Sequence, residues 1–429
     1  MFGNSKKTAA LLLLGLLFVF PGPSLFGQSN SGDTPGYRRG DTLTLKVAVI
    51  GPGDELYLWW GHIGLVVEDK ITGKARFFDW GVFNFDQENF YVNFALGRLL
   101  YSCMVSPADN NFRFFIRTNR DITLYTLDLP AETKEAVLRY AENNVRPENR
   151  DYAYHHFRDN CATRIRDIVD MALGGQLKAA FGEAPGRFTL RQHVRRHTWA
   201  HPFFDWILNF WMGQDIDRPI TIWDEMFLPS EIALRIKDFH YTDPRGQERK
   251  LVSAVEILNT SHGRPLVLDV PRIQWPRELA ASLLFSCVVS LVYFLLKSRK
   301  IRRIFLGILQ SLLGLFFGTA GSLLFFMSFF TNHDYTYHNS NVLFVNPLFY
   351  AAIPLGLIFG FTKNKKKLFI TARLLRIFWL YVLLGGLLTM VIKLFPAFYQ
   401  QNQVDQALIL PIALTMILIA TKASEPNSN

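Results

Sequence analysis

The sequence predicts two parts of different class: an α+β exported domain, then an all-α membrane bundle of about five helices. Three observations predict this. The chain opens with a signal-peptide layout, long apolar runs crowd the region after Leu279, and the basic residues there are asymmetrically placed. With 429 residues, 49% hydrophobic and 38 Phe, the chain has room for more than one domain and for membrane segments.

The N-terminus reads KKTAALLLLGLLFVFPGPSLFGQSN. Two lysines precede an apolar run too short for a comfortable span, and small and polar residues follow. Residues 1–27 are therefore expected to be a signal peptide. Cleavage near Gly27 lacks the preferred small-x-small residues, so a retained anchor fits as well. Residues 28–276 are then exported, residues 277–422 form the membrane region, and residues 423–429 are a short cytoplasmic tail. The apolar runs are Leu279–Leu296, Ile304–Phe330, Val342–Phe361, Leu374–Ile392 and Ala407–Thr421, the last interrupted by Pro411. KSRKIRR (Lys297–Arg303) and KNKKK (Lys363–Lys367) are strongly basic. Thr331–Asn341 and Pro396–Gln406 hold no Lys or Arg. The positive-inside rule puts the basic segments in the cytoplasm and the other two outside, on the side of the exported domain.

Net charge is +10, and all of it lies in residues 281–429, which carry 13 Lys+Arg and 3 Asp+Glu; the remainder holds 33 of each sign. The basic balance is thus a topology signal, with anionic inner-leaflet lipid as its partner. It gives no case for nucleic acid, and no nucleic-acid motif is present. Three cysteines, Cys103, Cys161 and Cys287, are too dispersed for a disulfide framework.

Within the exported part, Thr44–Gly53 alternates and ends in a turn signal, so it reads as a strand. His62–Asp69 and Ala75–Phe85 read as a hairpin joined by KITGK. Cys103, in LLYSCMV, reads as a small buried strand residue, and Asp121–Leu129 is a further strand. Pro130–Val145 has helical spacing with Pro in the first turn. NCATRIRDIVDMALGG opens a helix near Asn160 and closes it at Gly174-Gly175. FTLRQHVRRHT and FLPSEIALRIKDF read as further helices. No internal repeat or low-complexity tract is present.

Cys161 stands among polar residues in HHFRDNCATRIRD, in the first turn of that helix. The free N–H groups and positive dipole end there favour a thiolate, and the same N–H groups can hold an oxyanion. A thiolate nucleophile needs a base, and His62, after a Gly at a strand start, is the candidate. Asp79, on the next strand of the hairpin, has the chemistry to orient the imidazole. His156, Asn160 and Arg164 are candidate substrate contacts. Each has a duller reading. Cys161 could pair with Cys103 in a disulfide, Asp79 could be a salt-bridge residue, and His156 could simply stack. Asn160 could cap the helix, and Arg164, like Arg166, could pair with Asp159, Asp167 or Asp170. The exterior loop around His333, Asp334 and His338 reads as interfacial anchoring, with a share in an acceptor site as the alternative. No metal and no cofactor is expected.

A strand-borne GHIGLVV followed by a helix-opening NCATRIRD resembles the circularly permuted papain-like cysteine hydrolases and acyltransferases, which include LRAT-like and NlpC/P60-type enzymes. YLWWGHIGLVVED, GRLLYSCMV, FRDNCATRIRD and DRPITIWDEMFLPSEI are similar to the N-terminal periplasmic domain of Lnb-type lipoprotein N-acyltransferases, over about Thr42–Asp238. The resemblance implies a papain-like (NlpC/P60-like) fold, Cys161 as nucleophile and His62 as base. It also implies a multi-pass inner-membrane protein with its catalytic domain in the periplasm. A phospholipid would donate an acyl chain and a diacylated lipoprotein would accept it on the α-amine of its N-terminal cysteine. The rival readings are a membrane-tethered cysteine hydrolase, either an envelope amidase/peptidase or a phospholipase, and a non-catalytic lipid- or lipoprotein-binding domain.

Overall fold

The computed structural model describes residues 38–83, 88–264, 267 and 269–424. The signal-peptide expectation for 1–27 lies outside the described residues, as do residues 425–429 of the expected tail.

An antiparallel sheet organises the exported part. Its strands are β1 (Leu43–Ile50), β2 (His62–Asp69), β3 (Lys74–Val82), β4 (Leu99–Pro107), β5 (Ile122–Leu127), β6 (Asp151–Tyr154) and, after the ribbon β7 (His240–Thr242) and β8 (Glu248–Lys250), β9 (Val252–Asn259). The order across the sheet is β6-β4-β3-β2-β1-β5-β9. The helices of this part are α1 (Phe90–Ala95), α2 (Ala108–Arg117), α3 (Ala131–Asn144), α4 (Cys161–Ala172), α5 (Gln176–Phe181), α6 (Leu190–Thr198), α7 (Pro202–Trp211), α8 (Ile222–Glu225) and α9 (Pro229–Ile236).

Period-2 alternation divides the sheet into two faces. Leu43, Leu45 and Val47 of β1, Ile63, Leu65 and Val67 of β2, and Phe78 and Trp80 of β3 pack against α3, α4 and α9. Ala48, Ile50, Val66 and Phe77 face the other way, onto Ala108 and Phe115 of α2. Cys103 is buried in the first of these cores, a small strand residue as its setting suggests. Pro130 sits at the N-cap of α3, one position before the predicted first turn.

Five stretches among the described residues are long and apolar enough to cross a membrane, ending at Leu295, Phe330, Phe361, Ile392 and Ala420. Four are single helices: α10 (Trp275–Leu295), α11 (Arg299–Phe330), α13 (Lys365–Ile392) and α14 (Gln403–Ser424). The third is not. Asn346 caps a short 3-10 turn opened by Pro347, and only Ala352–Phe361, α12, is α-helical. The basic segments are also more helical than expected, since α11 starts at Arg299 and α13 at Lys365.

From Arg38 onward the chain is one compact unit. The reason is a polar seam. Asn339 Nδ2 donates to the carbonyls of Phe210 (2.9 Å) and Trp211 (3.0 Å) at the end of α7. Asn341 Nδ2 and Trp206 Nε1 both donate to the buried Asp405 carboxylate, at 3.0 and 3.1 Å. Both Lys/Arg-free connections thus sit against the exported part, as expected of segments on the same side.

Candidate active site: a thiol, an imidazole and a carboxylate

Two neighbouring strands build the first half of the site. The β2–β3 register pairs Leu65 with Phe78 and Val66 with Phe77, and by alternation puts His62 and Asp79 on the face that carries Val66 and Phe77. His62 opens β2 directly after Gly61, whose φ of +78° suits glycine. Its Nε2 lies 3.0 Å from Asp79 Oδ1, and the same Asp79 oxygen accepts from the Gly81 backbone N–H at 2.7 Å. The Phe115 ring stands 6.2 Å from the imidazole and helps to wall it.

Gly81 was not singled out in the sequence. A Cβ at that position would stand 2.6 Å from His62 Cε1, so only glycine leaves room for the ring as it lies. The signal was available: a glycine inside a strand pattern often marks a close approach.

The second half comes from α4. Asn160 is its N-cap: Oδ1 accepts from Ala162 N (2.8 Å) and Thr163 N (2.9 Å), and Thr163 Oγ1 accepts from Asn160 N, completing a capping box. Asn160 Nδ2 donates to the carbonyls of His156 (2.8 Å) and Phe227 (3.0 Å). Every hydrogen-bonding position of this amide is spoken for, which corrects the expectation of a substrate contact. Arg164 pairs bidentately with Asp159, Nε and NH2 on its two oxygens at 2.6 and 2.7 Å, and its guanidinium lies over Tyr152. The cap leaves the backbone N–H of Cys161 without an acceptor among the described residues.

His62 is electrostatically coupled to Cys161 as well as to Asp79. Burial alone would strip the imidazole of its proton. The Asp79 carboxylate 3.0 Å away, with the neighbouring Cys161, outweighs it, raising the His62 pKa to about 10. Burial also works against the Asp79 charge, yet the His62 charge, its hydrogen bond and the Gly81 N–H hold this carboxyl below its ordinary range. Cys103 and Cys161 are both free thiols, so the disulfide alternative has no place in the structure.

Around the thiol lie residues that sequence reasoning missed. Tyr101 of β4 and Tyr154 of β6 stack at 4.0 Å, and burial together with the charge at Cys161 raises both phenol pKa values. Beyond Tyr154 stands His156, edge-on to it at 5.4 Å and to Tyr335 at 5.4 Å. Burial, with His333 and His155 nearby, lowers the His156 pKa to about 3, so this ring is neutral.

Tyr335 belongs to the connection after α11. His155 Nδ1 accepts from the N–H groups of Phe157 and Arg158, each at 3.1 Å, so its Nε2 donates to Asp334 Oδ1 at 2.8 Å. Arg158 reaches the other Asp334 oxygen at 3.0 Å. The membrane region therefore holds the segment that leads into Cys161. His338, the third loop residue noted in the sequence, pairs with Asp215 instead, at 2.7 Å.

Residues 37–196 match the family model described as the Lnb N-terminal periplasmic domain. The match includes His62, Asp79, Gly81 and Cys161. No curated protein and no solved structure gives a match. Together with the five membrane-capable stretches, the match supports a membrane protein whose N-terminal domain is similar to the Lnb periplasmic domain.

Proposed function

We propose that the chain is a membrane-bound cysteine acyltransferase, moving an acyl chain from phospholipid to the α-amine of a lipid-modified N-terminal cysteine on a lipoprotein. The observation that carries this reading is the line Asp79–His62–Cys161 at the head of α4, in a domain locked to membrane helices by Asp334 and Tyr335. A nucleophile so fixed is suited to a substrate that is itself in the bilayer.

The chemistry follows from the groups present. The Cys161 thiolate attacks the ester carbonyl, and the oxyanion falls to the Cys161 N–H at the head of α4. The carbon–oxygen bond breaks, the His62 imidazolium gives its proton to the departing alkoxide, and lysophospholipid leaves a thioester on sulfur. The acceptor amine then attacks that carbonyl. Its carbon–nitrogen bond forms, the carbon–sulfur bond breaks, and the surplus proton of the amine returns to His62, regenerating the thiolate–imidazolium pair. Asp79 stabilises the imidazolium in both steps.

The test uses proteoliposomes with radiolabelled phospholipid and no acceptor. The protein should acquire label that neutral hydroxylamine removes. Cys161→Ala should acquire none, and His62→Ala should acquire it about 10²–10⁴-fold more slowly. A diacylated peptide with a free α-amine should then take the label as a hydroxylamine-stable amide. Discharge to free fatty acid in the presence of saturating peptide would turn the assignment to a hydrolase, in which water replaces the amine.

A further inference from the structure

The short helix α1 is not accounted for by the catalytic line. Its sequence, FYVNFA, contains no charged residue, and its outer side is strongly apolar: Tyr91 is 74% exposed, Val92 57% and Phe94 50%. Such a surface on a water-facing helix would be costly. Its position explains it. The Leu96 carbonyl accepts from Asn332 N at 2.8 Å, and the Phe94 carbonyl accepts from His333 Nε2 at 3.0 Å. These two residues follow directly on the membrane-crossing α11, which ends with Phe329 and Phe330 exposed at 63% and 64%. The C-terminal end of α1 is thus anchored beside the end of a span, which sets its apolar side at the height where a bilayer meets water.

From α1 a file of rings leads inward. Phe90 of α1 lies 6.2 Å from Phe83, at the end of β3, and Phe83 lies 5.0 Å from Tyr101. Tyr101 stacks on Tyr154 at 4.0 Å, and the charge at Cys161 acts on both. A continuous file of ring contacts therefore leads from the exposed helix to the Tyr101–Tyr154 stack, within electrostatic reach of Cys161. Aromatic walls of this kind suit an alkyl chain, which gains contact along its whole length and asks for no hydrogen bond.

We propose that α1 rests in the outer-face interface of the bilayer and admits the phospholipid acyl chain, which runs along Phe90, Phe83, Tyr101 and Tyr154 to Cys161. The proposal rests on the acyl-transfer reading for its second half only; the lipid contact of α1 stands without it.

The experiment has one arm for each half. In the full chain bearing Cys103→Ala, Cys161→Ala and Cys287→Ala, Val92→Cys is labelled with bimane and reconstituted in vesicles of acyl-brominated phosphatidylcholine. Strong quenching is expected there, and none with Thr72→Cys, in the exposed hairpin turn at the other end of β2. In the second arm, Tyr91→Asp combined with Val92→Asp should lower acyl-enzyme formation from vesicle phospholipid by roughly tenfold or more, as taking two apolar side chains out of the bilayer implies. Alkylation of Cys161 by iodoacetamide should stay unchanged, showing an intact site. Absence of quenching at Val92→Cys overturns the membrane contact. Quenching with unaltered acylation in the double variant overturns the entry route. Quenching in a protein whose unsubstituted form never acylates leaves the contact standing and removes the acyl-transfer reading instead.

Discussion

The two halves of the site are built by different means. His62 and Asp79 lie on strands joined by a tight turn, and the backbone ladder sets their distance. Cys161 lies on a helix whose approach segment is tied down by Asp334 and Tyr335, far along the chain. The histidines show the consequence. His62, between a carboxylate and a thiol, is held charged; His156, among aromatic rings and other histidines, is held neutral. Charge partners on the rigid side hold one ring protonated, and burial among rings and other histidines on the docked side keeps the other neutral.

The largest effects should come from loosening the rigid side. Gly81→Ala places a methyl group against the imidazole, and the ring must move to admit it. We expect about a 10²-fold loss in acyl-enzyme formation with little loss of thermal stability, because the error falls on geometry rather than on packing. Asp79→Asn should lose a similar factor and also alter the pH profile. The carboxylate holds the imidazolium up to about pH 10, so the native alkaline limb should lie near there. Without that charge, burial wins and the limb should move down towards the ordinary histidine range. The rate of thioester formation between pH 6 and 11 reads both variants; an unmoved limb in Asp79→Asn would detach Asp79 from His62.

The same contrast governs what could be seen in the sequence. The hairpin was legible because its alternation and its KITGK turn are local, and the α4 start because Asn160 and the closing glycines sit within one helix length. What alternation could not give was the diagonal from His62 to Asp79, which depends on register and on the missing side chain of Gly81. β6, β9 and α1 carry too little pattern to stand out. The Asp334 clamp joins residues 179 positions apart and leaves no local trace. The interruption of the third span did have a trace, Asn346-Pro347, masked by the apolar residues on either side.

A smaller effect is expected on the docked side. Asp334→Asn removes the charge that holds His155 and Arg158, in a partly exposed position where such pairs contribute about 1 kcal/mol or less. Acyl-enzyme formation should fall by about fivefold at most, with His62 and its pH limb untouched. The readout that separates this from a site defect is protease sensitivity of the 155–158 segment in liposomes, which should rise in Asp334→Asn and stay native in Gly81→Ala. Equal protease resistance in both variants would mean that the membrane loop does not hold the cysteine segment.

The smallest effect is on stability, and here the two histidines act with opposite sign. His62 has a folded pKa above its unfolded value, so its contribution is complete below about pH 6.5 and is lost as pH rises towards 10. His156 has a folded pKa below its unfolded value, lowered to about 3 by burial and its histidine neighbours. Its contribution is present above about pH 6.5 and is lost as pH falls, because the unfolded chain then binds a proton that the folded one refuses. His197, buried and donating through Nδ1 to the Trp59 carbonyl, is lowered to about 3 as well and adds to the acid side. The thermal midpoint in detergent should therefore decline on both flanks of neutrality. His156→Gln should flatten the acid flank by a few degrees between pH 6.5 and 5, and His62→Gln should flatten the alkaline one. If His156→Gln left the acid flank as steep as before, the ring would not be buried neutral, and the packing of Tyr335 against it would lose its part in holding the membrane loop to the site.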